Sequence, residues 1–101
     1  MTSKQRAYLK SIAMTEEAIC HIGKNSLTDE VIAQVAESLE ARELIKIAVL
    51  KSCVDDLREI ANALADATGS EVVQVIGRKI VLYREGKDDK KKIVLPKAGK
   101  N

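Results

Sequence analysis

A chain of 101 residues, 46% apolar and with a net charge of +2, has the size and composition of one folded domain with a single modest core. Phenylalanine and tryptophan are absent and tyrosine occurs only twice, so the core must be aliphatic, which argues against a single-strand binder that stacks bases on exposed rings. No apolar run approaches the roughly twenty residues of a membrane span and no secretory h-region follows the N-terminus, so a soluble, cytoplasmic protein with no membrane partner is expected.

The charge is unevenly distributed. Residues 1–27 carry four Lys/Arg and two acids, residues 28–70 four and nine, and residues 71–101 nine and four. Such polarisation lets a nearly neutral domain present a basic face, although a solvated surface with a lysine-rich tail has the same composition. Cys20 and Cys53 are far apart, and the single histidine, His21, follows Cys20 directly, which points the two side chains to opposite faces of a strand. Free buried thiols are expected, with no metal site and no cofactor.

In chain order, residues 3–14 read as a helix with Ala7, Leu9, Ile12 and Ala13 inward and Lys4, Arg6 and Lys10 in water. Arg6 and Lys10 are four apart and share a face. The short apolar run Ala18–Ile22 reads as a strand and stops at Gly23-Lys24-Asn25-Ser26. Backbone amides, an ammonium and a carboxamide between a strand end and a helix start suit an anionic backbone; a plain turn with a glycine for backbone freedom accounts for the same residues. Thr28 is a good N-cap, and Val31, Ile32, Val35 and Leu39 keep a helical period up to about Arg42. Asp29 and Glu30 favour that helix start but oppose a phosphate, so Lys24 and the loop amides must carry the grip.

Leu44–Leu50 is a strand with Ile45, Ile47 and Val49 on one face; Lys46 wets the other, so a sheet covered on one side only is expected. Residues 52–56 form a loop, Leu57, Ile60, Ala61 and Leu64 mark a third helix, and Thr68-Gly69 ends it. Glu71–Ile76 and Lys79–Arg84 are strands joined by Gly77-Arg78, a type II′ hairpin signal. The expected fold is an α/β two-layer sandwich, helix then β-α-β-α-β-β, with a four-stranded mixed sheet. Residues 1–85 form the domain, and residues 86–101 a mobile lysine-rich tail in which Ile93–Pro96 docks briefly. If both strand–helix–strand units cross over right-handed, the first three strands run parallel. Their carboxyl ends then gather the Gly23–Ser26 loop, Lys51, Arg78 and Lys79 along one basic edge, where ligands of α/β sheets commonly bind.

Gln5-Arg6-Ala7-Tyr8-Leu9-Lys10, His21-Ile22-Gly23-Lys24-Asn25, Leu39-Glu40-Ala41-Arg42-Glu43-Leu44-Ile45-Lys46 and Gly69-Ser70-Glu71-Val72-Val73-Gln74-Val75-Ile76-Gly77-Arg78, followed by Ile80-Val81-Leu82-Tyr83-Arg84, resemble the CRM-domain family. The match covers roughly residues 4 to 96 in family order and spacing, and the single-domain length is similar to the bacterial YhbY-type members. The resemblance implies an RNA-binding domain associated with precursors of the large ribosomal subunit, with a fold similar to the C-terminal domain of translation initiation factor three. It also implies a Gly-x-x-Gly loop compared with the backbone clamp of KH domains. Gly23, Lys24 and Asn25 match that loop, whereas Ser26 stands where the second glycine is expected; its Cβ disfavours positive φ, and its hydroxyl can donate to a phosphate. Arg78 matches a family position at the hairpin.

The residues and the resemblance together give a non-catalytic RNA-binding protein acting on ribosomal RNA in large-subunit precursors. Lys24, Lys51, Arg78 and Lys79 contact phosphates in this reading, Asn25 and the loop amides order the strand, and Arg6 and Lys10 extend the surface if the first helix packs beside the loop. The alternative is a protein-binding adaptor of the translation machinery that works through Glu37, Glu40, Glu43, Asp55, Asp56 and Glu59. An enzyme with a small-molecule substrate is not expected, since no nucleotide fingerprint is present and His21 has no evident partner.

Overall fold

The computed structural model describes residues 1–86 and 93–96. Its elements are α1 (Ser3–Ala13), β1 (Ala18–Ile22), α2 (Asp29–Arg42), β2 (Leu44–Val49), α3 (Leu57–Thr68), β3 (Glu71–Ile76) and β4 (Lys79–Tyr83). Helix starts are set by side-chain caps. Thr28 Oγ1 accepts from Val31 N–H and Asp56 from Glu59 N–H, both at 3.1 Å, which satisfies amides that the first turn leaves unbonded. At α1, Thr2 and Gln5 cap each other reciprocally. Gly69, in the left-handed conformation, closes α3.

The four strands form one mixed sheet in the order β1-β2-β4-β3. β1 and β2 are parallel, while β4 runs antiparallel to both β2 and β3. β1, β2 and β3 therefore share a direction, as the crossover argument requires, and β4 inserts between β2 and β3. Gly77 has φ +58 and is the first central residue of the β3–β4 turn, which suits the type II′ geometry read from the sequence.

On one face of the sheet α2 and α3 enclose an aliphatic core in which Ile22, Val35, Leu39, Ile47, Leu64, Ile80 and Leu82 are almost fully buried. Cys20 and Cys53 belong to this core as free thiols. The expectation of a sheet covered on one side only is corrected by α1. That helix lies across the second face, where Leu9 and Ala13 pack with Leu44, Val73, Val81 and Tyr83. Lys46 on the same strand stays only half-buried, so a cation in the middle of β2 did not keep its neighbours wet. Ala7, expected inward, is exposed, because the inward stripe of α1 runs through Leu9, Ile12 and Ala13.

Part of residues 86–101 is anchored. Glu43 is fully buried, and its carboxylate accepts hydrogen bonds from the backbone N–H of Gly86 and of Ile93, the latter at 2.7 Å. Ile93 and Leu95 pack on the α1-side cluster, and Gln5 Nε2 donates to Pro96 O at 2.9 Å. The remainder of the segment expected to be a mobile tail, 87–92 and 97–101, lies outside the described residues.

Candidate nucleic-acid interface

The carboxyl ends of β1 and β2 and the β3–β4 turn meet at one edge of the sheet. Leu50 N–H donates to Ile22 O and Val49 N–H to Arg78 O, both at 2.8 Å, which ties the three connections together. Gly23 lies against the β2–α3 loop, and a Cβ built on it would be 3.7 Å from Ser52 Oγ and 3.8 Å from Leu50 Cδ1. The structure thus brings Gly23, Lys24, Asn25, Ser26, Lys51, Arg78 and Lys79 to a common edge.

Residues 23–26 form a tight turn closed by Ser26 N–H donating to Gly23 O at 2.9 Å. Lys24 and Asn25 occupy its corners and are exposed. Ser26 adopts φ +56, the left-handed conformation that a second glycine would take without strain. The serine therefore holds a glycine-type backbone at an energetic cost. Gly23 behaves in the opposite way. Its φ lies outside the left-handed region, and a Cβ there would meet only ordinary van der Waals neighbours. Backbone freedom therefore does not explain this glycine, whose half-buried backbone carries no side chain to shield it.

Arg78 is committed inward. Its Nε donates to Val49 O and its Nη2 to both Leu50 O and Cys53 O, each at 2.9 Å. The guanidinium fork fixes the β2–α3 loop, and with it the ledge on which Lys51 and Ser52 stand. Lys51 lies within a turn closed by Cys53 N–H donating to Leu50 O at 3.0 Å, and its side chain is exposed. Lys79 is exposed at the start of β4, opposite Ile76 on one side and Ala48 on the other.

Arg6 and Lys10 are not beside this loop. They face a cleft of about 410 Å³ that runs along β3, the sheet edge opposite β1, together with Arg58 and Asn62 of α3. The Arg6 guanidinium donates through Nη1 to Val72 O and, at 3.2 Å, to Val73 O. These carbonyls lie where the register of β3 slips against β4, so the arginine satisfies acceptors that the irregular ladder leaves open. Nothing in the sequence reading singled out Arg58, although its spacing of four from Asn62 places both on one face of α3.

Acids shape the field around the turn. A second cleft, about 340 Å³, is lined by Asn25, Ser26 and Leu27 on one side and by Asp55, Glu59 and Ile60 on the other. Its carboxylates repel phosphate, leaving the Lys24–Lys51 side as the favourable approach. Three members of the acidic segment are already engaged within the fold. Glu43 is buried under the chain at Gly86 and Ile93, Glu40 pairs with Arg84 at 3.1 Å, and Asp56 caps α3.

Tyr83 is buried beside Glu43, and its hydroxyl is the single buried side-chain polar atom left without a hydrogen-bond partner among the described residues. Burial, reinforced by the charges of Glu43, Glu85 and Glu71, pushes its pKa up from 10.0 to about 12. No helix among the described residues is long and apolar enough to cross a membrane.

The arrangement has counterparts in known proteins. YqeI of Bacillus subtilis, named as a probable RNA-binding protein, is 46% identical over 96 residues, covering 95% of this chain and 99% of its own length. An RNA-binding protein of Haemophilus influenzae is 34% identical over 97 residues and 96% of each chain. The solution structure of hypothetical protein SAV1595 from Staphylococcus aureus is similar in fold, with a TM-score of 0.80 at 48% identity, over 95% of this chain and 99% of that one. The model of the CRS1 / YhbY (CRM) domain matches residues 1–84. With nearly the whole described domain inside that match, the chain belongs to the CRS1/YhbY (CRM) domain family.

Proposed function

We propose that this protein is a non-catalytic RNA-binding protein that contacts ribosomal RNA in precursors of the large ribosomal subunit through the Gly23–Ser26 turn. The RNA-binding part of this reading is supported by the family and by the names of its relatives. The observation that carries the choice of site is Gly23, a glycine that neither its φ nor its neighbours require, next to an exposed Lys24 and Asn25. A phosphate drawn to Lys24 can approach the bare backbone, with Lys51 continuing the positive side and the Ser26 hydroxyl available as a donor. The RNA is then held chiefly by its backbone, so affinity falls steeply with salt.

Gly23→Ala separates this role from a structural one. The substitution is expected to leave folding intact, or to raise stability by about 0.4–1 kcal/mol through the unfolded chain, while weakening RNA binding several-fold. Unchanged affinity in a filter-binding titration would remove the turn from the interface. The ribosomal assignment is tested by density-gradient sedimentation of lysates. Wild type is expected to travel with large-subunit precursors and Lys24→Glu/Lys51→Glu to remain at the top; wild type at the top would refute it.

A further inference from the structure

We infer that the cleft along β3 is a second phosphate-binding site for the same RNA, built from Lys10, Arg58 and Asn62 and separate from the Gly23–Ser26 turn; this rests on the RNA-binding reading above. Three cationic side chains from two helices on opposite faces of the sheet converge on this cleft. Arg6 is held in place by the carbonyls of β3, which fixes one positive charge in its wall. Lys10 and Arg58 have no acidic partner among the described residues. Arg58 also lies in the first turn of α3, where the positive end of the helix dipole opposes a cation. A domain gains nothing in its own stability from gathering unneutralised charge in that way, whereas an anionic ligand is bound by it. Asn62, one helical turn on, adds a carboxamide that can donate to a phosphate oxygen or accept from a ribose hydroxyl.

The placement sets the reach of the ligand. β1 and β3 are the two outer strands of a four-stranded sheet. Three strand spacings, roughly 14 Å, are the least separation across the sheet, so an RNA that bridges the turn and the cleft needs more than about four stacked nucleotides of one strand. An RNA that engages both sites gains by multivalency over one that reaches only one.

Amide-shift titrations of the full chain with oligouridylates of about four and about twelve nucleotides test this. The short RNA is expected to move two separate sets of amides, those of residues 24–26 and those of residues 72–76. Lys10→Ala/Arg58→Ala should silence the second set alone and Lys24→Glu the first alone. With the long RNA, the double alanine variant should bind more weakly and show a salt slope shallower by about 1.4, two contacts at about 0.7 each. A response at 72–76 with residues 24–26 silent would sink the turn as the primary site and still support the cleft. The inference is overturned if residues 72–76 do not respond to RNA, or if Lys24→Glu abolishes their response. It also fails if they respond to a glutamate-rich peptide in place of RNA, which would indicate strand addition at the β3 edge.

Discussion

Replacing Arg78 by alanine should damage the fold before it damages any binding. The guanidinium supplies three hydrogen bonds to carbonyls of the β2–α3 connection, at 2.9 Å each, and two of those carbonyls belong to the nearly fully buried Val49 and Cys53. Hydrogen bonds from a charged donor are worth about 1.5–3 kcal/mol each. Arg78 is only half-buried and Leu50 is exposed, so water recovers part of the loss, and about 1 kcal/mol per bond is the better figure, roughly 3 kcal/mol in total. For a domain of this size, with a urea slope of about 1.5 kcal/mol/M, the unfolding midpoint should fall by about 2 M with the slope unchanged. Arg78→Lys should recover only about 1 kcal/mol, because a single ammonium cannot fork across three acceptors. Urea titration followed by far-UV circular dichroism reads all three proteins. Stability of Arg78→Ala within about 0.5 kcal/mol of wild type would refute the role of the arginine as a brace and return it to the RNA-contacting set.

Three further outcomes are expected. Ser26→Gly relieves the positive φ and should raise stability by roughly 0.5–1 kcal/mol, read by the same titration, with a small loss of RNA affinity from the missing hydroxyl donor. Glu43→Ala removes the carboxylate that accepts from Gly86 and Ile93, and should release residues 93–96 from the α1 side, seen as fast amide exchange at Ile93 and new proteolytic cleavage in that segment. Tyr83 binds its proton more tightly folded than unfolded, so stability from this group is present below pH 10 and lost as pH rises to about 12, by up to about 3 kcal/mol. Because the hydroxyl lacks a partner, Tyr83→Phe should match or exceed wild-type stability at pH 7 and flatten that alkaline loss in pH-dependent unfolding.

Much of this architecture is legible in the sequence because local chemistry sets it. Thr28, Asp56 and Gly69 mark helix ends through contacts within four residues, and the periods of α2 and α3 name their buried faces. The shared direction of β1, β2 and β3 follows from crossover handedness, which places the Gly23 turn, Lys51 and Arg78 on one edge. What the sequence hides depends on partners far along the chain. Arg78 and Lys24 look alike as cations on loops, yet one is consumed by carbonyls 25–29 residues away and the other is exposed. Glu43 reads as one more acid in an acidic segment until the chain returns at Gly86 and Ile93 to meet it. Arg6 and Lys10 share a face as expected, but which strand that face meets is decided by α1 crossing to the second side of the sheet.

The strand order also bears on biosynthesis. β4 is the last of the described strands in chain order, yet it sits inside the sheet with β2 on one flank and β3 on the other. Until residues 79–83 emerge, β2 has an open edge and β3 has no hydrogen-bonding neighbour at all. A nascent chain halted before that point exposes a sticky strand edge rather than a smaller finished domain. The domain is therefore an all-or-nothing product of translation, and the β2–α3 connection beside the Gly23 turn is braced only after Arg78 and the strand that follows it have been made.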